Sequence, residues 1–415
     1  MARNRIIASL DIGSSKIRTV VGVLDDKTGV LNIIGIGLAP TGSGMRKSMI
    51  IDVEETINAI SSSLEDAERM AGEPIHHIYL GIGGHHIEST NSKGIVATNH
   101  PNREIIEADM DRALDAAQAL STPTNRTILK VIPKSFAVDE QRGIKYPVGM
   151  NGIRLEVDAH IVSGLTPAIK NVEKCVLQAG VDINDMIPNV LAPGESVLTK
   201  RQKELGVVIV DIGCGSTGVA IYEEGTILHS GVVPLGGENV TSDVAIGLKT
   251  TLETAERIKI EYGTCLPEEV QDREMIDLSL ISKVDIHQVS RKTLSQIIQA
   301  RYHEIFMMVR NELAKVNRDG MLPAGVILTG AGSKMPGVID LARETLNLPV
   351  QIGFPQNFEG VVDKIDDPSY STAIGLLVWG SRMEETSIGI GIDFSKIKFG
   401  KMADTLKGWA KNLLP

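Results

Sequence analysis

Aromatic residues make up only 3% of the chain, and cysteine occurs three times, at Cys175, Cys214 and Cys265. The shortage of rings argues against stacking platforms for single-stranded nucleic acid, while Ile, Val, Leu and Ala within an apolar share of 42% suffice for α/β cores. The cysteines are odd in number and far apart, with neither metal-ligand spacing nor a disulfide framework, which suits a reducing cytoplasm. Positive charge is in deficit: 42 Lys and Arg against 52 Asp and Glu leave a formal net charge of −10, which disfavours a whole-chain nucleic-acid binder. No apolar run reaches the about 18 residues of a bilayer span, and the opening MARNRIIASLDIG enters a strand without a segment of signal-peptide form. At 415 residues, two or more domains are expected.

What is present is a glycine turn that recurs after apolar strands. In SLDIGSSKIRTVVG, residues 9–22, an apolar run ends in Asp11, a turn follows, and Ile17, Thr19 and Val21 alternate as a second strand. The pattern reads as a β-hairpin with a phosphate-sized tip. Gly13 lets backbone approach an anion, the hydroxyls of Ser14 and Ser15 can donate to phosphate oxygens, Lys16 supplies charge, and Asp11 is placed to hold a hydrated magnesium ion. VVIVDIGCGSTGVAIY, residues 207–222, repeats the pattern with Asp211, Gly213, Gly215, Ser216 and Thr217. A third element, VILTGAGSKMPGV at 326–338, places Gly330, Ala331 and Gly332 in a turn before a helix start, open to a flat or anionic group. Two opposed hairpins and a third glycine turn resemble the nucleotide-binding signature of the actin, sugar-kinase and heat-shock chaperone ATPases.

Between these motifs the pattern is mostly structural. The strand at 30–38 is expected to break at Gly35 and Gly37 into a mobile stretch. A helix from Asp52 buries Ile57, Ile60, Leu64, Ala67 and Met70 and ends at Gly72. His76, His77, His85 and His86 cluster without making an obvious metal site, because adjacent strand residues face opposite ways. Residues 84–163 read as an inserted α+β unit whose helix, 104–120, carries Ile106, Met110, Ala113, Leu114 and Ala117 on one face. The helix at 167–180 turns Ile169, Val172, Val176 and Leu177 inward. In the helix from Thr251, Glu256 and Lys259 stand at i and i+3, either as a solvated salt bridge or addressing a ribose and adenine. A long helix spans 290–316, and a small-residue helix at 368–380 returns the chain to its first half.

From residue 381 to 400 the sequence has no sustained period and reads as a linker. In 401–415, Met402, Leu406, Trp409 and Leu413 form a stripe continued by Leu414, with Lys407 and Lys411 beside it. Such a basic amphipathic helix suits an interfacial anchor on anionic lipid; the other reading is a helix docked on the chain's own core or on a partner.

Together these motifs resemble the FtsA family of actin-like bacterial cell-division proteins. The carriers are SLDIGSSKI, IKYPVGMNGIRLEVDAHIV, VIVDIGCGSTGVAIY, PLGGENVTSDVA, ILTGAGSKMPG and KMADTLKGWAKNLL. The resemblance implies an α/β, two-lobed actin-like ATPase fold with an inserted α+β subdomain and a C-terminal amphipathic helix. The first lobe would comprise 1–83 with 164–195 and 365–380, and the insert 84–163. The second lobe would comprise 196–228 with 302–364, and its small subdomain, 229–301, would receive the C-terminal tail of the tubulin-like protein FtsZ. ATP would lie between the lobes, with Asp11 and Asp211 flanking hydrated magnesium and Gly13, Ser14, Ser15, Lys16, Gly213, Cys214, Gly215, Ser216 and Thr217 around the phosphates. Gly236, Gly237 and Glu238 would lie near ribose and phosphates, Glu256 and Lys259 near the nucleoside, and Gly330, Ala331, Gly332 and Ser333 at the adenine. Also implied are self-association into filaments, peripheral attachment to the cytoplasmic face of the inner membrane at the division site, contact with other division proteins, and at most weak ATPase activity. A small-molecule kinase of the same superfamily and a pilus-assembly adaptor are the alternatives.

Overall fold

The computed structural model describes residues 5–25, 29–98, 102–119, 124–283, 285–356, 358–360 and 365–388. The chain opens with the antiparallel strands β1 (Arg5–Ile12), β2 (Lys16–Leu24) and β3 (Leu31–Pro40). Two short strands, β4 (Met45–Arg46) and β5 (Met49–Ile50), precede helix α1 (Val53–Ala71) and strand β6 (His77–Ile82), which lies parallel to β1. Helix α1 starts where the Asp52 carboxylate accepts the Glu55 N–H at 3.1 Å, and ends at Gly72 with φ +72°. Its Ile60, Leu64 and Ala67 are buried, whereas Met70, expected on the same face, is exposed. Strand β3 runs unbroken through Gly35 and Gly37, contrary to the expected mobile stretch. A Cβ at Gly37 would stand 1.7 Å from the Ser63 carbonyl oxygen, so the glycines admit α1 against the strand.

The insert follows: β7 (Glu88–Ala97), α2 (Glu107–Ala119), β8 (Arg126–Val138), β9 (Gln141–Ile144) and β10 (Arg154–Leu165), in the sheet order β7-β10-β8-β9. Ile106 stands exposed just before α2, and Ile105 fills the core in its place. Helix α3 (Thr166–Gln178) and strand β11 (Asp182–Pro188) return to the first sheet. On α3 the inward face is Ile169, Val172, Cys175 and Val176; Leu177, one residue round the helix, is exposed.

Helices α4 (Pro193–Val197) and α5 (Lys200–Leu205) lead to a second sheet built to the same plan. Strands β12 (Val207–Ile212), β13 (Thr217–Glu223) and β14 (Thr226–Val233) form its meander. After α6 (Gly237–Leu248), α7 (Leu252–Tyr262), β15 (Met275–Asp277), β16 (Gln288–Ser290) and α8 (Arg291–Lys315), strand β17 (Val326–Thr329) lies parallel to β12 as β6 does to β1. Then come α9 (Val338–Leu346), β18 (Val350–Ile352), β19 (Phe358–Gly360) and α10 (Ser371–Ile388). The two sheets read β11-β6-β1-β2-β3-β19 and β14-β13-β12-β17-β18. Helix α10 continues past Gly380 to Ile388, so the segment expected as linker begins in helix. The rest of that linker and the terminal stripe, Met402 to Leu414, lie outside the described residues.

Strand period decides which side chains meet between the halves. In β1, Ala8, Leu10 and Ile12 pack toward α1 and α3, while Ile7 packs with the Ile374 and Leu377 of α10 and Ser9 donates to the Ala373 carbonyl at 2.8 Å. Asp11 shares that second face. In β12, Val208, Val210 and Ile212 pack with α6 and α8, and Asp211 falls on the opposite face with Val207 and Ile209. Both carboxylates therefore point into the space between the sheets.

Candidate functional site

That space is a cleft of about 1020 Å³ lined from both halves. Each hairpin closes by the same bond: Gly13 N–H to the Lys16 carbonyl at 3.2 Å, and Gly213 N–H to the Ser216 carbonyl at 3.0 Å. The tips touch, with the Ser14 side chain packed where a Cβ on Gly215 would be. Asp11, Gly13, Ser14, Ser15, Lys16, Asp211, Gly213, Cys214, Gly215 and Ser216 line the cleft, as do Gly237, Glu238, Glu256, Lys259, Gly330, Ala331 and Gly332. Three expected residues are set back from it. The Thr217 hydroxyl is buried and donates to the Leu235 carbonyl at 2.8 Å; Ser333 is buried and donates to the Gly330 carbonyl at 2.8 Å; Gly236 packs on the Cys214 carbonyl. The Ser14 hydroxyl is engaged as well, accepting the Ser48 N–H at 2.7 Å.

The registers of the hairpins match, but the residues opposite the aspartates differ. Asp11 pairs across the strands with Arg18, whereas Asp211 pairs with Gly218. Arg18 Nη1 lies 3.8 Å from Asp11 Oδ2, and its guanidinium lies over the Tyr370 ring, 5.4 Å from the centroid. Asn189 Nδ2 donates to Asp11 Oδ1 at 3.1 Å, and Thr372, at the head of α10, donates to Asp211 Oδ2 at 2.9 Å. Burial pushes the Asp11 carboxyl above its ordinary value, against the pull of Arg18 and Asn189. It pushes Asp211 to about 6, against the Thr372 bond and with Asp11 adding repulsion. Arg18 Nε and Asn189 Oδ1 are buried without a hydrogen-bond partner. Two destabilised carboxylates with orphaned polar atoms beside them suit a hydrated divalent cation and an anion bound together. No cluster of three or more His, Cys, Asp or Glu able to hold a metal ion occurs among the described residues.

The other end of the cleft is walled by α6, α7 and the third glycine turn. Gly237 N–H and Glu238 N–H at the start of α6 donate to the Gly213 and Cys214 carbonyls at 2.9 and 2.8 Å, docking this helix on the second tip. Lys259 Nζ is almost fully buried and donates to Glu256 Oε2 at 2.6 Å and Thr241 Oγ1 at 2.8 Å, so the pair lines the cleft wall while forming an ion pair. The third glycine turn is a single 3-10 turn, and α9 begins four residues beyond it, so no α-helix N-terminus faces the cleft there. Gly330 has φ +79°, and a Cβ on it would stand 2.2 Å from Asp211 Oδ1. Burial raises the Cys214 thiol, which keeps it protonated beside the phosphate-sized tip.

Residues 208–375 match the family described as cell division protein FtsA. A cell division protein FtsA from Pseudomonas aeruginosa is 38% identical over 411 residues, 98% of both chains. The chain belongs to the FtsA family of cell division proteins. The FtsA of Bacillus subtilis is 38% identical over 382 residues, 92% of this chain and 85% of its own, and that of Escherichia coli 34% over 384 residues, 91% and 90%. Residues 84–163 match the SHS2 domain inserted in FtsA. Among solved structures, the PilM-PilN type IV pilus biogenesis complex aligns with TM-score 0.66 at 16% identity, over 90% of this chain and 98% of that one. MreB5 of Spiroplasma citri bound to AMPPNP aligns with TM-score 0.56 at 13% identity, over 94% and 100%. These likenesses carry the fold alone, which is actin-like. FtsA membership decides against the kinase and pilus-adaptor alternatives.

Proposed function

We propose that this FtsA-family chain binds ATP with magnesium between its lobes, polymerises on the cytoplasmic face of the inner membrane, and tethers FtsZ filaments there at the division septum, helping recruit later division proteins. The observation that carries the nucleotide reading is the convergence of two equivalent hairpin tips on one cleft, each preceded by a strand that carries an aspartate of raised pKa near its end. Bound ATP with its magnesium supplies a γ-phosphate whose presence or loss distinguishes two states of the cleft. Asp11 and Asp211 hold the hydrated ion, whose charge restores both carboxylates to the anionic form. Arg18 and Lys16 balance phosphate charge, and the tip amides donate to phosphate oxygens. Lys259 and Glu256 face the ribose, and the turn at Gly330 to Gly332 borders the base. ATP acts mainly as a conformational ligand, with at most weak hydrolysis.

For the FtsZ tail, residues 229–301 offer a groove of about 350 Å³ between α6 and α8, extended by Glu304. Ile246 lies in it 78% exposed, and Arg301 is held there by Asp243 through bonds of 2.6 and 2.9 Å. An apolar side chain on Ile246 and a peptide carboxylate replacing Asp243 at Arg301 would fill it. Among the described residues no helix is long and apolar enough to cross a membrane. Attachment is assigned to the terminal stripe of Met402, Leu406, Trp409, Leu413 and Leu414 with Lys407 and Lys411. Co-sedimentation with anionic and neutral vesicles, with magnesium ATP and FtsZ, tests the reading. The full chain should pellet on anionic vesicles and bring FtsZ down; a chain ending at Ile388, which keeps α10 whole, should leave both in solution. Equal behaviour of the two chains would refute the tether.

A further inference from the structure

The insert belongs by chain order to the first lobe, yet its edge strand β7 lies against β14, the edge of the second sheet. No ladder joins them; side chains of β7 cap the outward carbonyls of β14 instead. Ser89 donates to the Ser230 carbonyl, and Asn91 Nδ2 donates to the Leu228 carbonyl at 3.3 Å. His160 of β10, fully buried, completes the seam. Its Nδ1 meets Asn91 Oδ1 and its Nε2 meets Ser230 Oγ, both at 2.8 Å. An amide oxygen only accepts, so Nδ1 carries a proton, and because burial keeps the ring neutral, Nε2 accepts from the Ser230 hydroxyl.

The other end of the insert is fastened by Lys130 of β8, which pairs with Asp185 of β11 at 2.6 Å, and by Arg126. Arg126, 8% exposed, spans the two points where the chain leaves and rejoins the first lobe. It donates to the His86 carbonyl at 2.7 Å and to Ser163 Oγ at 3.0 Å, and pairs with Glu88 at 3.2 Å. Both fastenings end on the cleft. Gly83, Gly84 and Ile87 at the root line it, and so does Val232 of β14, two residues beyond Ser230. From Val232 the chain runs on to Leu235, which accepts the Thr217 hydroxyl, and to Gly237, docked on the second hairpin tip.

We propose that the inserted subdomain is a strap across the lobes, rooted at Gly84 and Ser163 and buttoned to β14 by Ser89, Asn91 and His160, which opposes cleft opening and so governs nucleotide release. The inference rests on the ATP reading above. Opening the cleft moves β14 away from the root of the insert. The buried Arg126 cluster holds that root, so the half-exposed bonds of Ser89 and Asn91 give way first. Nucleotide state is thereby reported at the insert.

Two measurements on the full chain decide it. The first is the release rate of a fluorescent ATP analogue, with magnesium, from the native chain, from Ser89→Ala/Asn91→Ala, from His160→Gln, and from Arg142→Ala on the far edge strand β9 as control. Loss of the seam bonds should speed release about tenfold, with the control unchanged. The second is hydrogen exchange in the native chain, where magnesium ATP should slow exchange in β7 and β14. Both results are required: seam variants that release at the native rate, or exchange indifferent to ATP, overturn the strap. Should a variant fail to fold, the exchange measurement on the native chain decides alone. A native chain that takes up no nucleotide at the outset overturns the ATP reading itself, and the strap with it.

Discussion

At the scale of single residues, Gly330 and His160 show how close packing sets chemistry. Gly330 combines a left-handed backbone with a Cβ position 2.2 Å from the Asp211 carboxylate. Gly330→Ala should therefore cost about 1–2 kcal/mol of stability from backbone strain and displace Asp211. Titration with magnesium ATP should show affinity weakened about tenfold, beyond what the shift in melting temperature accounts for. His160 is held neutral, with its pKa lowered from 6.5 to about 3 by burial, with His229 and Lys134 adding repulsion. In that window the unfolded chain binds a proton that the folded chain refuses. The His160 contribution is thus complete above pH 6.5 and declines as pH falls toward about 3. Urea midpoints at pH 7 and pH 5 should differ less for His160→Gln than for the native chain; equal differences would show that His160 does not set this slope. The legibility of the site follows the same scale. Asp11 and Asp211 are readable because an apolar run, an acid and a glycine turn are local signals. Asn189 and Thr372 are not, since they meet these aspartates across separations of 178 and 161 residues. Arg18 was within reach: beyond Lys16 at the tip it is the one cation on an otherwise apolar strand, on the face of Asp11 once the four-residue turn is counted.

Among the elements, α10 has the most to hold together. Its head reaches Asp211 through Thr372, its middle packs so tightly on the chain crossing that a Cβ at Gly375 would stand 1.9 Å from the Ala192 carbonyl, and beyond Gly380 Arg382 pairs with Glu195. Glu195 also accepts from Lys203 at 2.8 Å, and these two cations hold its carboxyl at about 2 against strong burial. Glu195→Ala would remove the carboxylate that both cations share and should cost about 1–3 kcal/mol, read as a lowered urea midpoint. Because the folded pKa is depressed, that contribution is complete above pH 4.5 and is lost as pH falls through about 2. Helix caps and apolar periods make most elements readable, as at Asp52 and Gly72 for α1. Periodicity misleads where a residue lies at the margin of a face, as with Leu177 and Met70, and at glycines, since Gly35 and Gly37 signal close packing in a strand as readily as a break.

For the whole molecule, the matching order of the two sheets implies that the cleft is a junction of two copies of one plan, with function in the differences between them. One copy carries the insert and Arg18; the other carries the small subdomain and Gly218. That plan also bears on synthesis. The first sheet is made first, but β3 is paired with β19, and the face of β1 carrying Ile7, Ser9 and Asp11 is covered by α10 from the far end of the chain. On the ribosome, a nascent chain of some 350 residues therefore holds an open strand edge and an uncovered apolar face, both recognised by chaperones and by other nascent copies. A chain ending before Ser371 should accumulate in the insoluble fraction, whereas co-expressing residues 365–415 as a separate piece should return part of it to solution. The first lobe is begun by β1 and completed only by α10, so a quality check on translation through α10 is written into the order of its elements.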